Sequence, residues 1–282
     1  MKSTGYYRAK KKAFSLLRGI IVVTLCIIFV TPFIVMTSTA FRTNADAFTE
    51  PVTLFPREFT LENFPAAMQV IPYWTYMGNT LFITVLSVIG NVLSTPMVAY
   101  SLSKIKWKGG GIISGLLMAT MMIPYTVTMI PLYRVYSSLH LTNTYVPLIL
   151  PTFFGSSYFI IIVRQFMNGI SDSLLEAAKI DGANEVQRYT RLVLPLCRPA
   201  LTTVAIYAFM NAWSDYLAPM IYITKNEKLT LSLGLQQFMG EYSTDWARLM
   251  AAAFIFVVPV VVFYIIFQRN FVEGVSTSGL KA

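Results

Sequence analysis

Charge is scarce in this chain. Of 282 residues, 12% are Asp, Glu, Lys or Arg, against roughly 25% in an ordinary soluble protein. A water-exposed globule of this length is disfavoured from the outset. Histidine occurs once, as His140, and cysteine twice, as Cys26 and Cys197, far apart in the sequence. These supply neither a set of metal ligands nor a disulfide framework. The chain also lacks a Gly-x-x-x-x-Gly-Lys-Ser/Thr phosphate loop, because Gly109-Gly110-Gly111 leads into an apolar run without a following lysine. A lone histidine leaves no nucleophilic triad. No metal, no cofactor and no catalytic residues are expected on this chain, and it is not expected to be an enzyme.

Apolar residues are abundant. They make up 55% of the chain, aromatics 14%, and the mean hydropathy is +0.59. Lipid is the natural solvent for most of it. Crossing roughly 30 Å of hydrocarbon takes about 20 mostly apolar residues, and six charge-poor stretches meet that need. They are residues 19–41, 78–103, 111–132, 145–163, 200–224 and 249–268. The expected fold is therefore an all-α integral membrane protein with six transmembrane helices. Pro32, Pro96, Pro124, Pro131, Pro151, Pro219 and Pro259 fall within or beside these stretches, where proline frees carbonyls and permits bends.

Lysine and arginine in short loops stay on the cytoplasmic side, and here 16 of 22 fall on one side of a six-span topology. Both termini are then cytoplasmic, with a basic segment at 1–18, a transmembrane domain at 19–268 and a tail at 269–282. The net charge of +9 is read as this sidedness and not as a nucleic-acid footprint. A signal peptide is the other reading of the first span. Its apolar core is usually about 7–15 residues, shorter than the run from Gly19 to Phe41.

The one long polar connection lies between the fourth and fifth spans, at residues 171–199. Ser173 and Glu176 have the spacing of a capping box, so a helix is expected to start there. Asp181-Gly182 is a turn signal, since glycine reaches the left-handed conformation without a Cβ clash. Asn184 and Gln187 repeat the capping spacing, and a second helix is expected to reach Leu194 and end at Pro195. Leu174, Leu175, Ala177, Ala178 and Ile180 give the first helix an apolar side. Two roles fit it, a helix lying in the headgroups with Arg188 and Arg191, or a helix seated against a partner.

Glu176-Ala177-Ala178, then Gly182, then Leu194-Pro195 resembles the signature loop of binding-protein-dependent ABC importer permeases. The local form Glu-Ala-Ala-Lys-Ile-Asp-Gly-Ala is similar to carbohydrate importers of the maltose type, and the whole chain resembles their smaller, six-helix permease. Asn211-Ala-Trp-Ser-Asp-Tyr216 and the tail Phe271-Val-Glu-Gly274 belong to the same likeness. The tail departs from the pattern at Ser278-Gly279, where glycine comes one residue late. The resemblance implies a type I importer permease fold in the bacterial or archaeal cytoplasmic membrane. It implies a heterodimer with a second homologous permease, two cytoplasmic ATPase subunits that carry ATP and Mg, and an extracytoplasmic solute-binding protein. It also implies that Glu176, Ala177, Ala178, Asp181, Gly182, Leu194 and Pro195 couple to the ATPase.

An acid inside a span must face protein or water, so Asp215 marks the fifth span as a candidate substrate path. Asn211, Trp213 and Tyr216 beside it offer the aromatic planes and polar acceptors that suit sugars. Asp215 can equally lie at an interface, where Trp and Tyr are common. Gln237, Tyr242 and Asp245, in the outer segment before the sixth span, are candidate contacts for the binding protein. The function implied is ATP-driven import of an oligosaccharide or related glycoside by alternating access. The alternatives are the same scaffold carrying a non-sugar solute, or a self-sufficient secondary transporter using Asp215 for proton coupling.

Overall fold

The computed structural model describes residues 3–47, 54–239 and 245–279. The chain divides into two compact units, Met1–Ile71 with Gln237–Val257, and Pro72–Gln236 with Val258–Ala282. Among the described residues every regular element is helical, and Arg42 and Phe59 form an isolated antiparallel bridge.

The first unit begins with α1 (Ser3–Ala40), whose segment Phe14–Ala40 is long and apolar enough to cross a membrane. None of its most apolar window is buried within the chain, as befits a helix solvated by lipid or by another subunit. Thr31 and Thr37 turn their hydroxyls back to the carbonyls of Ile27 and Phe33, at 2.7 Å, so neither leaves a bare donor in hydrocarbon. Where the helix ends, side chains take up the free backbone groups. Asn63 donates to the carbonyls of Ala40 and Arg42, and buried Arg42 donates to Ser38 Oγ at 2.9 Å. The short helix α2 (Asn44–Ala47) carries buried Asp46, which accepts from the Arg57 N–H. α3 (Asn63–Val70) follows. Phe41, Phe59, Phe64 and Phe254 form one aromatic cluster, with Phe41 stacked on Phe59 at 5.1 Å.

The second unit is built around α4 (Tyr73–Ser103), a continuous helix despite Pro96. It is the most buried of the long apolar helices, with 39% of its window inside the protein. Thr80, Thr84, Ser87, Asn91 and Thr95 are all buried and recur every three or four residues, a stripe of small polar side chains on one face. Small residues allow close helix approach in lipid, where water supplies no hydrophobic drive between helices. α5 (Gly110–Met121) and α6 (Tyr125–Ser138) form a pair bent by 103° at the break that contains Pro124. α7 (Val146–Ile149), a 3-10 turn (Leu150–Phe154) and α8 (Ser157–Asn168) together make a further stretch long enough to span.

After α8 come α9 (Asp172–Ile180), α10 (Glu185–Gln187), a π-helical stretch (Arg188–Val193) and α11 (Leu194–Leu196). α12 (Arg198–Trp213), α13 (Leu217–Tyr222), α14 (Leu231–Gly234) and α15 (Trp246–Gly279) complete the chain. The core packs α4, α8, α9 and α12 through Tyr100, Ile160, Val163, Leu175 and Val204, with Val193 and Cys197 from the loop.

Among the described residues four helical stretches are long and apolar enough to cross alone, and up to six when each of two bent pairs counts as one span. The pairs are the α5–α6 pair and Glu185–Leu196 with Arg198–Trp213, bent by 74°. The fifth apolar run, read from sequence as continuous over 200–224, is broken between Trp213 and Leu217. There Asp215 Oδ1 accepts the Ala218 N–H and starts the short α13 instead of prolonging α12.

Close approach explains Gly90. A Cβ placed there meets Thr152 Oγ1 at 2.3 Å and the Phe153 ring at 2.9 Å, next to the hydrogen bond from Ser94 Oγ to the Thr152 carbonyl. Overpacking of this kind costs about 1–3 kcal/mol. Gly90→Ala is therefore expected to lower the melting temperature of the detergent-purified protein, whereas Gly78→Ala, with open space around its Cβ, leaves it unchanged.

Candidate functional site

The polar loop is two arms joined by an elbow. α9 starts two residues earlier than the capping-box reading placed it, with Ser171 instead of Ser173 as N-cap and Asp172 in the first turn. The Ser173–Glu176 box does not form. Ser173 Oγ is instead 2.7 Å from Ser171 Oγ, and the start of the helix is fixed by a distant cation. Lys104, whose side chain is 4% exposed, lies 2.7 Å from Asp172 Oδ1 and donates to the Ile170 carbonyl at 2.6 Å. The hydrogen bond from Lys104, and then its charge, hold the Asp172 carboxyl below the usual carboxylate value. The ion pair is therefore complete above the ordinary Asp pKa and is lost only as pH falls through the lowered one.

The elbow itself follows the sequence signals. Gly182 has φ +84°, its N–H bonds the Lys179 carbonyl at 3.1 Å, and the Ala183 N–H bonds the Ala178 carbonyl at 2.9 Å. This is the Schellman arrangement, which satisfies the last carbonyls of α9 and reverses the chain. Two residues on, Asn184 and Gln187 exchange hydrogen bonds at 2.8 and 2.9 Å as a complete capping box. The second arm ends at Cys197, two residues past the expected stop, because Pro195 occupies the first turn of α11, where its missing N–H is not needed.

Leu175 is the side chain of α9 that enters the core. Glu176, Ala177, Asp181 and Gly182 are exposed, while Ala178 and Leu194 are half-buried and Pro195 is exposed. The elbow also displays two apolar residues beyond the Glu-Ala-Ala core, Ile180 at 86% and Val186 at 69% exposure. Ile180 was read as part of an apolar helix side. Its exposure, and that of Val186, depends on which way the elbow turns, which spacing does not reveal. Tyr100 adds a second tie, donating to the Glu185 carboxylate, which also pairs with Arg188, and packing on Tyr189 at 5.1 Å.

In the fifth apolar segment the four candidate residues are not one cluster. Trp213 is 2% exposed and stacks on Phe209 at 5.6 Å, while Asn211 is exposed. Asp215 is occupied by Ala218 N–H, and its own carbonyl accepts from Ser232 Oγ at 2.6 Å. Tyr216 reaches Gln236 at 2.8 Å. At the far end of α4, Asn79 donates to the carbonyls of Glu227 and Leu229, both at 2.9 Å, and Tyr76 donates to Asn226. Asn143 Oδ1 takes the Thr224 and Lys225 N–H groups and the Thr224 hydroxyl. Of the outer candidates, Gln237 is exposed, Asp245 pairs with Arg248 at 3.2 Å, and Tyr242 lies outside the described residues. No group of three or more metal-binding side chains is found among the described residues.

Residues 90–277 match the family model described as binding-protein-dependent transport system inner membrane component. The chain is 32% identical over 257 residues to the arabinooligosaccharides transport system permease protein AraQ of Halalkalibacterium halodurans, covering 90% of this chain and 92% of that one. It is 30% identical over 267 residues to the diacetylchitobiose uptake system permease protein DasC of Streptomyces coelicolor, covering 92% and 94%. A crystal structure of a bacterial ABC transporter involved in the import of the acidic polysaccharide alginate shares the fold, with a TM-score of 0.83 at 23% identity over 93% of this chain and 98% of that one. Such subunits are permeases and not themselves enzymes. The chain belongs to the binding-protein-dependent transport system inner membrane components, and is a multi-pass permease subunit of an ABC importer.

Proposed function

We propose that this chain is the smaller permease of an importer that carries an oligosaccharide or related glycoside across the cytoplasmic membrane by alternating access. The names of the relatives AraQ and DasC support the solute class. The exposed elbow from Ala177 to Val186 carries the mechanistic part of the reading. It presents a carboxylate, a small residue and two bare apolar side chains on a backbone whose turn is fully hydrogen-bonded, the form of a preorganised docking element.

In this reading both termini and residues 171–199 face the cytoplasm, where two ATPase subunits bind and hydrolyse ATP with Mg. Glu176 pairs with a basic group there, Ala177 and Ala178 let the helix seat closely, and Asp181 and Gly182 set the angle between the arms. Leu194 and Pro195 pass the movement to α12. A second, homologous permease completes the pathway, to which Asn211 and Tyr216 offer exposed polar groups while Trp213 and Asp215 hold the break that shapes it. The solute-binding protein docks outside, near Gln237, Tyr242 and Asp245.

Reversing the charge at Glu176 tests the docking face. In the co-expressed complex, Glu176→Lys is expected to reduce ATPase co-purification about ten-fold or more, the equivalent of about 1.4 kcal/mol, and to abolish ATP-dependent uptake of labelled oligosaccharide. Unchanged association and uptake would refute the coupling role. Gly182 tests the elbow separately. A left-handed alanine costs roughly 1–2 kcal/mol, so Gly182→Ala is expected to speed hydrogen exchange at the Ala183 amide by about 5–30-fold.

A further inference from the structure

One helix, α4, is tied near its two ends to two separate segments, the polar loop and residues 226–231. At the end of α4 nearest the polar loop, Lys104 grips the Ile170 carbonyl and Asp172, and Tyr100 grips Glu185 and packs on Tyr189. The two ties fall on the two arms of the elbow, one on each side of Gly182. At the opposite end, Tyr76 and Asn79 hold Asn226, Glu227 and Leu229, and the buried Thr80 hydroxyl accepts the Leu231 N–H at 2.9 Å.

Asn79 and Lys104 are separated by about 38 Å along the helix at 1.5 Å per residue, more than the roughly 30 Å of hydrocarbon. The two sets of ties are therefore far enough apart to lie at opposite membrane surfaces. α4 is unbroken between them, and its ends are fixed by buried groups, with Tyr76 fully buried, Thr80 1% and Tyr100 4% exposed. The stretch between differs. Thr84 Oγ1, Asn91 Oδ1 and Thr95 Oγ1 have no hydrogen-bond partner among the described residues, and Ser94 supplies a bond there to the Thr152 carbonyl.

We propose that α4 is the strut that links the outer loop 224–231 to the coupling elbow, with Lys104 and Tyr100 as positioning residues inside and Asn79 outside. A displacement of the outer loop when the solute-binding protein docks is carried along α4 to both arms at once, so the elbow shifts as a unit and keeps its angle. This rests on the importer reading above and adds the route by which the outside is felt inside.

The test uses the complete complex in nanodiscs, measuring ATP hydrolysis with and without the solute-loaded binding protein. Lys104→Met and Asn79→Ala are expected to retain the ATPase subunits and unstimulated hydrolysis, and to lose about five-fold or more of the stimulation by the binding protein. Lys104→Arg, which keeps the cation, restores most of it. Tyr100→Phe, which removes only a hydroxyl from a packed ring, is the variant least able to disturb folding and is expected to lose stimulation in the same direction. Full stimulation in Lys104→Met and Tyr100→Phe would overturn the strut. Loss of the ATPase subunits from either would also overturn it, by making these residues part of the docking surface. A wild-type complex that shows no stimulation at all would instead refute the importer reading on which the strut stands.

Discussion

Hydrocarbon offers no hydrogen-bonding partner, so every backbone group this chain frees inside or beside the membrane must be met by the chain itself. That constraint accounts for where its polar side chains sit. Asn63 meets the carbonyls left open where α1 ends, Asp215 meets the N–H groups exposed by the break after α12, and Asn143 gathers three donors from the segment after α13. Asn143 itself has φ 57°, a conformation that asparagine tolerates because its short side chain bonds locally. Apart from the buried stripe along α4, the polar side chains that take up freed backbone groups stand where helices begin, end or break.

The same constraint separates rigid from bendable parts. A sharp helix bend needs a proline or an interrupted ladder, and such points are present at Pro124 between α5 and α6 and at Cys197 before α12. α4 contains Pro96 yet remains continuous, packed by α8, α12 and the turn Leu150–Phe154 on several sides. Close packing around Gly90 removes the room in which a kink would open. A transporter that alternates between two accesses needs both kinds of element, since joints alone transmit nothing and struts alone do not move.

The sequence was most legible where a single residue type decides the local conformation. Charge-free runs gave the apolar helices because lipid selects on composition over about 20 residues, with no need to know what packs where. Gly182 and the Asn184–Gln187 pair gave the elbow because positive φ and capping are local events. Failures came where a distant partner decides. Ser173 and Glu176 have capping spacing, but Lys104, far back along the chain, draws Asp172 into the first turn and moves the start of α9. Within the run read as continuous over 200–224, Asp215 Oδ1 accepts the Ala218 N–H and starts α13, a local contact that composition alone does not show. Periodicity has no term for either contact.

Lys104 shows why such contacts matter beyond bookkeeping. From the sequence it is one of three lysines that report which side of the membrane a loop occupies, a role any neighbouring position would fill. In the structure its side chain is nearly closed to solvent, while its partner Asp172 remains largely exposed at 74%. An ammonium taken out of water while its carboxylate stays in it gains little from ionic attraction alone, because the exposed partner is screened. What the burial secures is geometry: a second oxygen, the Ile170 carbonyl, fixes the direction of the cation, and the pair ties the end of α8 and the start of α9 to one point on α4. A surface lysine needs only its charge, but a buried one must also bring its donors within reach of both oxygens. The position of the polar loop relative to α4 is therefore set by hydrogen-bond geometry at its base.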